Sequence, residues 1–280
     1  MGKMKRRIAL AAIATTLLSG CAGSATGVQS ALPPGARYVA MGSSYAAGPG
    51  LSPPKPGTPA RCARSPLNYA TLLAARLNLD LVDASCSGAT SAHILGPWNE
   101  LSAQIDAVTP DTRLVTVTIG GNDVGFVMNL HIGSCSVASS DKPCPALRLP
   151  SESDWTKLES NLRTIARQVH ARAPAARLLF VDYVTLLPKH GSCAAAPLSP
   201  DSAEAVGSLG KRLGALTARV ARDEHAGLLP AGALSRHHTP CDVQPWSVGI
   251  PGSAPGAPWH PNAAGHAAIA EALGQYLTKR

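Results

Sequence analysis

Four short segments carry the residue types that nucleophilic chemistry needs, and they follow one another in order along the chain. Gly42-Ser43-Ser44-Tyr45-Ala46-Ala47-Gly48 places a serine in a turn of small residues directly behind an apolar run, Tyr38–Met41. Cys86-Ser87-Gly88-Ala89-Thr90 and Ile119-Gly120-Gly121-Asn122-Asp123 come next, and Trp259-His260-Pro261-Asn262 lies near the C-terminus. A hydroxyl becomes a strong nucleophile when a neighbouring base takes its proton, and the charge that develops on an attacked carbonyl needs donors aimed at it. Ser44 is the candidate nucleophile and His260 the candidate base. Gly88 offers a backbone N–H that no Cβ obstructs, Asn122 offers a side-chain amide, and the N–H of Ser44 makes a third donor. Each has an ordinary alternative: a turn serine, a turn glycine, an asparagine capping a strand end, a surface histidine. Asp123 reads as a tie within its own turn. Of the other histidines, His266 is the one most easily mistaken for the base.

The elements around these residues must bring them together. Tyr38–Met41 reads as a first strand, Leu79–Ala84 as a second, Leu114–Ile119 as a third, Arg177–Leu187 as a fourth and Gly227–Leu234 as a fifth. Helical spacing of apolar residues predicts helices over Leu67–Leu77, started by Ser65-Pro66, and over Trp155–Arg172, Asp201–Arg222 and Asn262–Leu277. Strands alternating with helices favour a parallel sheet covered on both faces, and ligands bind beyond the carboxyl ends of such strands. Ser44, Gly88 and Asn122 all fall just past expected strand ends. Residues 128–153 and 235–258 are rich in Ser, Pro and Gly and read as long irregular loops that shape a cleft. No Gly-x-Ser-x-Gly surrounds Ser44, so the nucleophile elbow of the α/β-hydrolases is not the pattern.

The N-terminus begins with Lys3, Lys5, Arg6 and Arg7 before an apolar stretch from Ile8 to Leu18. That stretch is too short to span a bilayer comfortably and fits a signal peptide. It ends in Leu18-Ser19-Gly20-Cys21, similar to a bacterial lipobox whose cysteine is lipidated; an ordinary signal peptide with an incidental cysteine is the alternative. The expected organisation is a signal peptide over 1–20, a lipidated Cys21 with a flexible tether over 21–35, and one domain over 36–280. The protein would then sit on the outer face of the bacterial cytoplasmic membrane through its lipid anchor. The formal charge of +8 falls to +4 once the four leader bases are removed. No basic run is interleaved with aromatics, which argues against nucleic acid as a partner. Six cysteines remain besides Cys21, an even number that suggests disulfides in an exported chain but leaves the pairing open. A zinc site is disfavoured because there is no Cys-x-x-Cys pair.

The four ordered blocks and the cysteine pattern resemble the SGNH (GDSL-like) hydrolase family, in particular its secreted actinobacterial lipase and esterase branch, over roughly residues 36–275. The resemblance implies a three-layer α/β/α fold with a central parallel sheet, flavodoxin-like and five-stranded on the reading above. It implies a Ser/His site that hydrolyses carboxylic acyl esters, without metal or organic cofactor, in a protein expected to be a monomer. It assigns Ser44 and His260 as catalytic, Ser44, Gly88 and Asn122 as the oxyanion hole, and the disulfides Cys62–Cys86, Cys135–Cys144 and Cys193–Cys241. Two departures stand out. The family's aspartate before the nucleophile is Ser43 here, and its aspartate three residues before the histidine is Ala257. A main-chain carbonyl near Ala257 would then orient His260 in a Ser–His dyad, with Asp242 as the side-chain alternative. A carbohydrate O-deacylase, an acyltransferase and a non-catalytic envelope binding protein are the competing functions.

Overall fold

The inner strands are apolar because a parallel sheet covered on both faces leaves them no polar side, whereas the edge strand Asp80–Asp83, Asp-Leu-Val-Asp, stays partly exposed. In the computed structural model, which describes residues 1–2, 31–138, 143–189 and 192–279, the strands are β1 (Arg37–Gly42), β2 (Asp80–Asp83), β3 (Thr112–Thr118), β4 (Arg177–Val181) and β5 (Gly227–Leu229). They make one five-stranded parallel sheet in the order β2-β1-β3-β4-β5. Tyr38, Val39, Ala40 and Met41 of β1 and Leu114, Val115 and Val117 of β3 are wholly buried. The expected leader, Cys21 and the tether up to residue 30 lie outside the described residues.

The helices are α1 (Ser44–Ala47), α2 (Tyr69–Leu77), α3 (Ser91–Leu95), α4 (Phe126–Ala138), α5 (Glu152–Arg172), α6 (Pro200–Asp223), α7 (Ala231–Leu234) and α8 (Ala263–Thr278). α2 and α8 pack together, and α3, α4, α5 and α6 form the second group, giving the three-layer α/β/α fold. The chain leaves β1 for β2 on one side and reaches β3 on the other, so the topological switch point lies between β1 and β3, where such folds open a crevice.

Several boundaries differ from the sequence expectation for local reasons. α2 starts at Tyr69, not at Ser65-Pro66, because the Asn68 side chain accepts from the Thr71 N–H and caps it. Ser65 instead donates its N–H to the Ala47 carbonyl and ties the loop to α1. β4 ends at Val181, the last residue paired with β5. β5 ends at Leu229, because Pro230 interrupts it and Ala231–Leu234 turns helical. Residues 128–153 are not all loop: α4 occupies their first part, with too little contrast between its faces to show a helical stripe. Disulfides join Cys62–Cys86, Cys135–Cys144 and Cys193–Cys241, the pairs that the family resemblance implies.

The end of β1 is fixed from both flanks. The Gln104 side chain accepts from the Gly42 N–H at 2.7 Å and donates to its carbonyl at 3.0 Å, and the Ser43 N–H donates to the Thr118 carbonyl at 2.9 Å. Gly42 has φ 147°, and a Cβ there would meet the Thr118 carbonyl oxygen at 2.4 Å. Gly42→Ala should therefore cost about 3 kcal/mol or more, combining backbone strain with overpacking. Urea unfolding measures this; a loss under about 1 kcal/mol would mean that β1 and β3 separate without penalty.

Candidate active site

Ser44 occupies the first position of α1, a four-residue helix that Gly48 closes in the left-handed conformation. The site is built there because the chain turns sharply out of β1 and exposes the first-turn N–H groups, which have no partner within the helix. Ser44 is buried to 8 % exposure, and its Oγ lies 2.8 Å from His260 Nε2. His260 comes from the loop before α8, and its Nδ1 lies 2.7 Å from the Pro258 carbonyl oxygen. A carbonyl only accepts, so Nδ1 carries the proton, Nε2 is the free acceptor, and the Ser44 hydroxyl donates to it. The Asp242 carboxylate accepts instead from the N–H and hydroxyl of Thr239, both at 2.7 Å. The structure thus brings Ser44 and His260 together and commits Asp242 elsewhere.

Burial pushes the His260 imidazole down to about 4; the Pro258 carbonyl works in the opposite direction and a charge on His131 would add to the lowering. The ring is neutral across the ordinary pH range. Tyr45, next to Ser44, sets its ring 5.0 Å from the His260 ring and donates its hydroxyl to the Trp259 carbonyl at 2.5 Å. Burial, and then the neighbouring Tyr183, hold the Tyr45 phenol well above its ordinary value, so it remains a donor.

The two expected oxyanion groups end the neighbouring strands' turns. Gly88 has φ 86°, and its backbone N–H has no acceptor among the described residues. A Cβ at Gly88 would also press on the Trp98 ring at 3.2 Å. Asn122 commits one amide hydrogen to the Ala89 carbonyl at 2.9 Å, which docks it against the Gly88 turn and leaves its second hydrogen available. Asp123 is structural, but not as a tie within its own turn: it accepts the Ser91 N–H and hydroxyl and so joins the β3 turn to the start of α3. Tyr183, which no sequence pattern marks, accepts the Gly121 N–H at 2.8 Å and lies 3.5 Å from Ser43 Oγ, where the family carries a carboxylate. A cavity of about 380 Å³ opens beside the Gly88 turn, lined by Arg64, His93, Trp98, Leu101, Gln104 and Asp106 among others. Neither Ser44 nor His260 lines it.

A serine hydroxyl bonded to a neutral, oriented imidazole is an arrangement for acyl transfer. The GDSL-like lipase/acylhydrolase family model matches residues 40–268, which contain all four blocks. The chain belongs to this family. Lipase 2 of Streptomyces coelicolor is 30% identical over 246 residues, covering 84% of this chain and 83% of the relative. The fold matches the crystal structure of phospholipase A1 from Streptomyces albidoflavus, with a TM-score of 0.68, 26% identity and coverage of 87% of this chain and 97% of that one. It also matches an extracellular lipase from Streptomyces rimosus, at 0.66 and 26%, over 84% of this chain and 98% of that one. This GDSL-like (SGNH) chain is therefore a carboxylic ester hydrolase of the lipase/esterase type, and its three disulfides suggest export.

His266 is not in the site. It lies wholly buried on α8, accepts the Tyr69 N–H on Nδ1 at 3.1 Å, and is pushed down to about 3 by burial first and by His260 second. Two imidazoles that are neutral when folded and ordinary when unfolded make stability fall as pH drops below about 6.5, each by about 2 kcal/mol at pH 5. Asp182, raised to about 6 by burial, works the other way, returning about 1 kcal/mol over the same interval. Urea midpoints at pH 7 and pH 5 should show a net loss of stability, to which the partial desolvation of His93 and His131 also contributes. The loss should shrink by about 2 kcal/mol in His266→Gln, whose amide oxygen can still accept from Tyr69; an unchanged pH dependence in that variant would contradict a neutral His266.

Proposed function

We propose that the protein is an envelope-anchored lipase or esterase in which Ser44 and His260 act as a dyad. Ser44 Oγ attacks the ester carbonyl while its proton passes to His260 Nε2. The Ser44 and Gly88 N–H groups and the Asn122 amide hold the oxyanion. The imidazolium then protonates the departing alcohol oxygen, leaving an acyl group on Ser44. Water, deprotonated by the same Nε2, attacks this ester and releases the acid, and the proton returns to Ser44. The observation that carries the reading is the unbroken line from Ser44 Oγ through the imidazole to the Pro258 carbonyl. Lipidation of Cys21 anchors the domain to the outer face of the cytoplasmic membrane, where acyl esters of lipids are at hand; two acyl chains suffice for stable anchoring. Residues 31–35 belong to the domain, not to the tether, since Leu32 packs on the core and the Gly35 N–H donates to the Asn78 carbonyl.

Covalent labelling by a serine-reactive phosphonate and turnover of p-nitrophenyl esters of increasing chain length test this reading. Ser44→Ala should lose both while unfolding at the same urea concentration, and near-normal turnover in that variant would sink the assignment. Asn122→Ala should lower kcat by roughly two to three orders of magnitude with little change in KM. Asp242→Asn should stay within a few-fold of the parent, whereas His260→Ala should not. Because kcat/KM reports the free enzyme and His260 titrates at about 4, activity should hold as pH falls through 6.5 and decline only toward pH 4. An acid limb at the ordinary imidazole value would show a solvated base. Mass spectrometry of the mature N-terminus from a bacterial envelope should find a diacylated Cys21; an unmodified, soluble product would remove the anchor and leave the chemistry intact.

A further inference from the structure

Trp259, the residue directly before His260, has φ 60°, a left-handed backbone on a bulky side chain that is fully buried. Such a conformation costs on the order of 1–3 kcal/mol and persists only where its surroundings over-determine it. The two peptide units on either side of its Cα are pinned separately. The Pro258–Trp259 unit, whose carbonyl accepts from His260 Nδ1, donates its N–H to Val248 and Gly249 carbonyls at 3.0 and 3.1 Å. The Trp259–His260 unit donates its N–H to the Ala257 carbonyl at 3.2 Å, and its own carbonyl accepts the Tyr45 hydroxyl. Apart from the His260 ring itself, the one side chain in this set is that of Tyr45, which follows Ser44 in α1.

We propose that Tyr45 is a positioning residue: its hydroxyl locks the left-handed turn at Trp259, and through that turn it sets the Pro258 carbonyl and the imidazole of His260 in register with the neighbouring Ser44. This rests on the Ser44–His260 dyad proposed above. With no carboxylate on Nδ1, the imidazole is aimed by one neutral hydrogen bond, whose acceptor is placed only by the backbone. Removing the Tyr45 hydroxyl leaves the Trp259 carbonyl buried and unpaired, and the turn can relax toward an ordinary φ. Relaxation rotates the Pro258 carbonyl away from Nδ1 and loosens the packing of the Tyr45 ring on His260. Ser44 and its helix are untouched, because the ring still fills its place against Tyr183, 4.5 Å away between centroids.

Tyr45→Phe tests this, with rates normalised to phosphonate-labelled sites so that misfolded protein does not count. The expected result is a kcat lowered roughly ten- to a hundredfold, KM within about twofold, and an acid limb moved upward as His260 gains solvent. 3-Fluorotyrosine introduced at position 45 alone keeps the hydroxyl and should restore kcat to within about twofold. A merely structural tyrosine predicts fewer labelled sites and a lower urea midpoint, with kcat per site and the acid limb unchanged; that result overturns the proposal. Should Tyr45→Phe not fold, the 3-fluorotyrosine protein carries the test alone. The His260 Nδ1–H proton resonance must move on fluorination, and an unmoved signal rejects the coupling. Failure of the dyad is distinguishable, because it would show as unlabelled parent enzyme or as an active Ser44→Ala variant.

Discussion

A single neutral hydrogen bond, from His260 Nδ1 to the Pro258 carbonyl, fixes which imidazole nitrogen faces Ser44, and the geometry of the site depends on it. A carboxylate in that place could accept from a range of directions and would follow the ring if it moved. A main-chain carbonyl has one position, set by its peptide plane. The loop that carries it must therefore be rigid. Val248 donates to the His260 carbonyl, the Asn262 N–H reaches the Trp246 carbonyl, and Ser247 bridges to Pro261, so the histidine loop is clasped along its length. The Cys193–Cys241 disulfide restrains the segment leading into this clasp. Within the irregular residues 235–258, Trp246, Val248, Gly249 and Ile250, in the stretch that faces the histidine loop, have their backbone groups bonded, as buried backbone requires.

The sheet meets the same demand for precision from below. Gly42 is paired with Thr118 at the last register position of β1 and β3, and Gln104 holds both of its backbone groups. Ser44 stands two residues beyond that point and Asn122 four beyond the end of β3, so both arise from the switch point where the crevice opens. Gly88 follows the edge strand β2 and is fastened to its neighbours by Cys62–Cys86 and by the Asn122 amide on Ala89. Three separate strand ends thus hold the groups that would face one oxyanion, and none of them sits on a long free loop.

Much of this was legible because it is local. A serine behind an apolar run, glycines at turns, an asparagine past a buried strand and a capped helix after His260 all leave marks within a few residues. Asn262 caps α8 through its side chain on Gly265, and the sequence places that helix start one residue away. The errors were local competitions decided by tertiary partners: Ser65 was taken by Ala47 and left the cap to Asn68. Tyr45 and Tyr183 left no mark at all. Each uses a hydroxyl on a backbone group 62 to 214 residues away, and no spacing rule reaches that far. The acceptor on Nδ1 was legible only as a missing aspartate at Ala257; that Pro258 supplies it depends on the left-handed turn at Trp259, which a tryptophan does not advertise.

The low affinity of His260 for protons bears on how the proposed dyad divides its work. A base whose conjugate acid titrates at about 4 holds a proton weakly, and no carboxylate stabilises the imidazolium that must form in the transition state. The opposite charge has to come from the substrate. As the hydroxyl proton moves to Nε2, the attacked carbonyl becomes an oxyanion, and in a water-poor site the two charges stabilise each other far more than in bulk solvent. Donors that hold the oxyanion therefore also support the imidazolium. On this reading the oxyanion hole of Ser44, Gly88 and Asn122 carries part of the role that an aspartate has in a triad. The same burial keeps the imidazole unprotonated and ready as a base down to acidic pH, where a solvated histidine would already be charged.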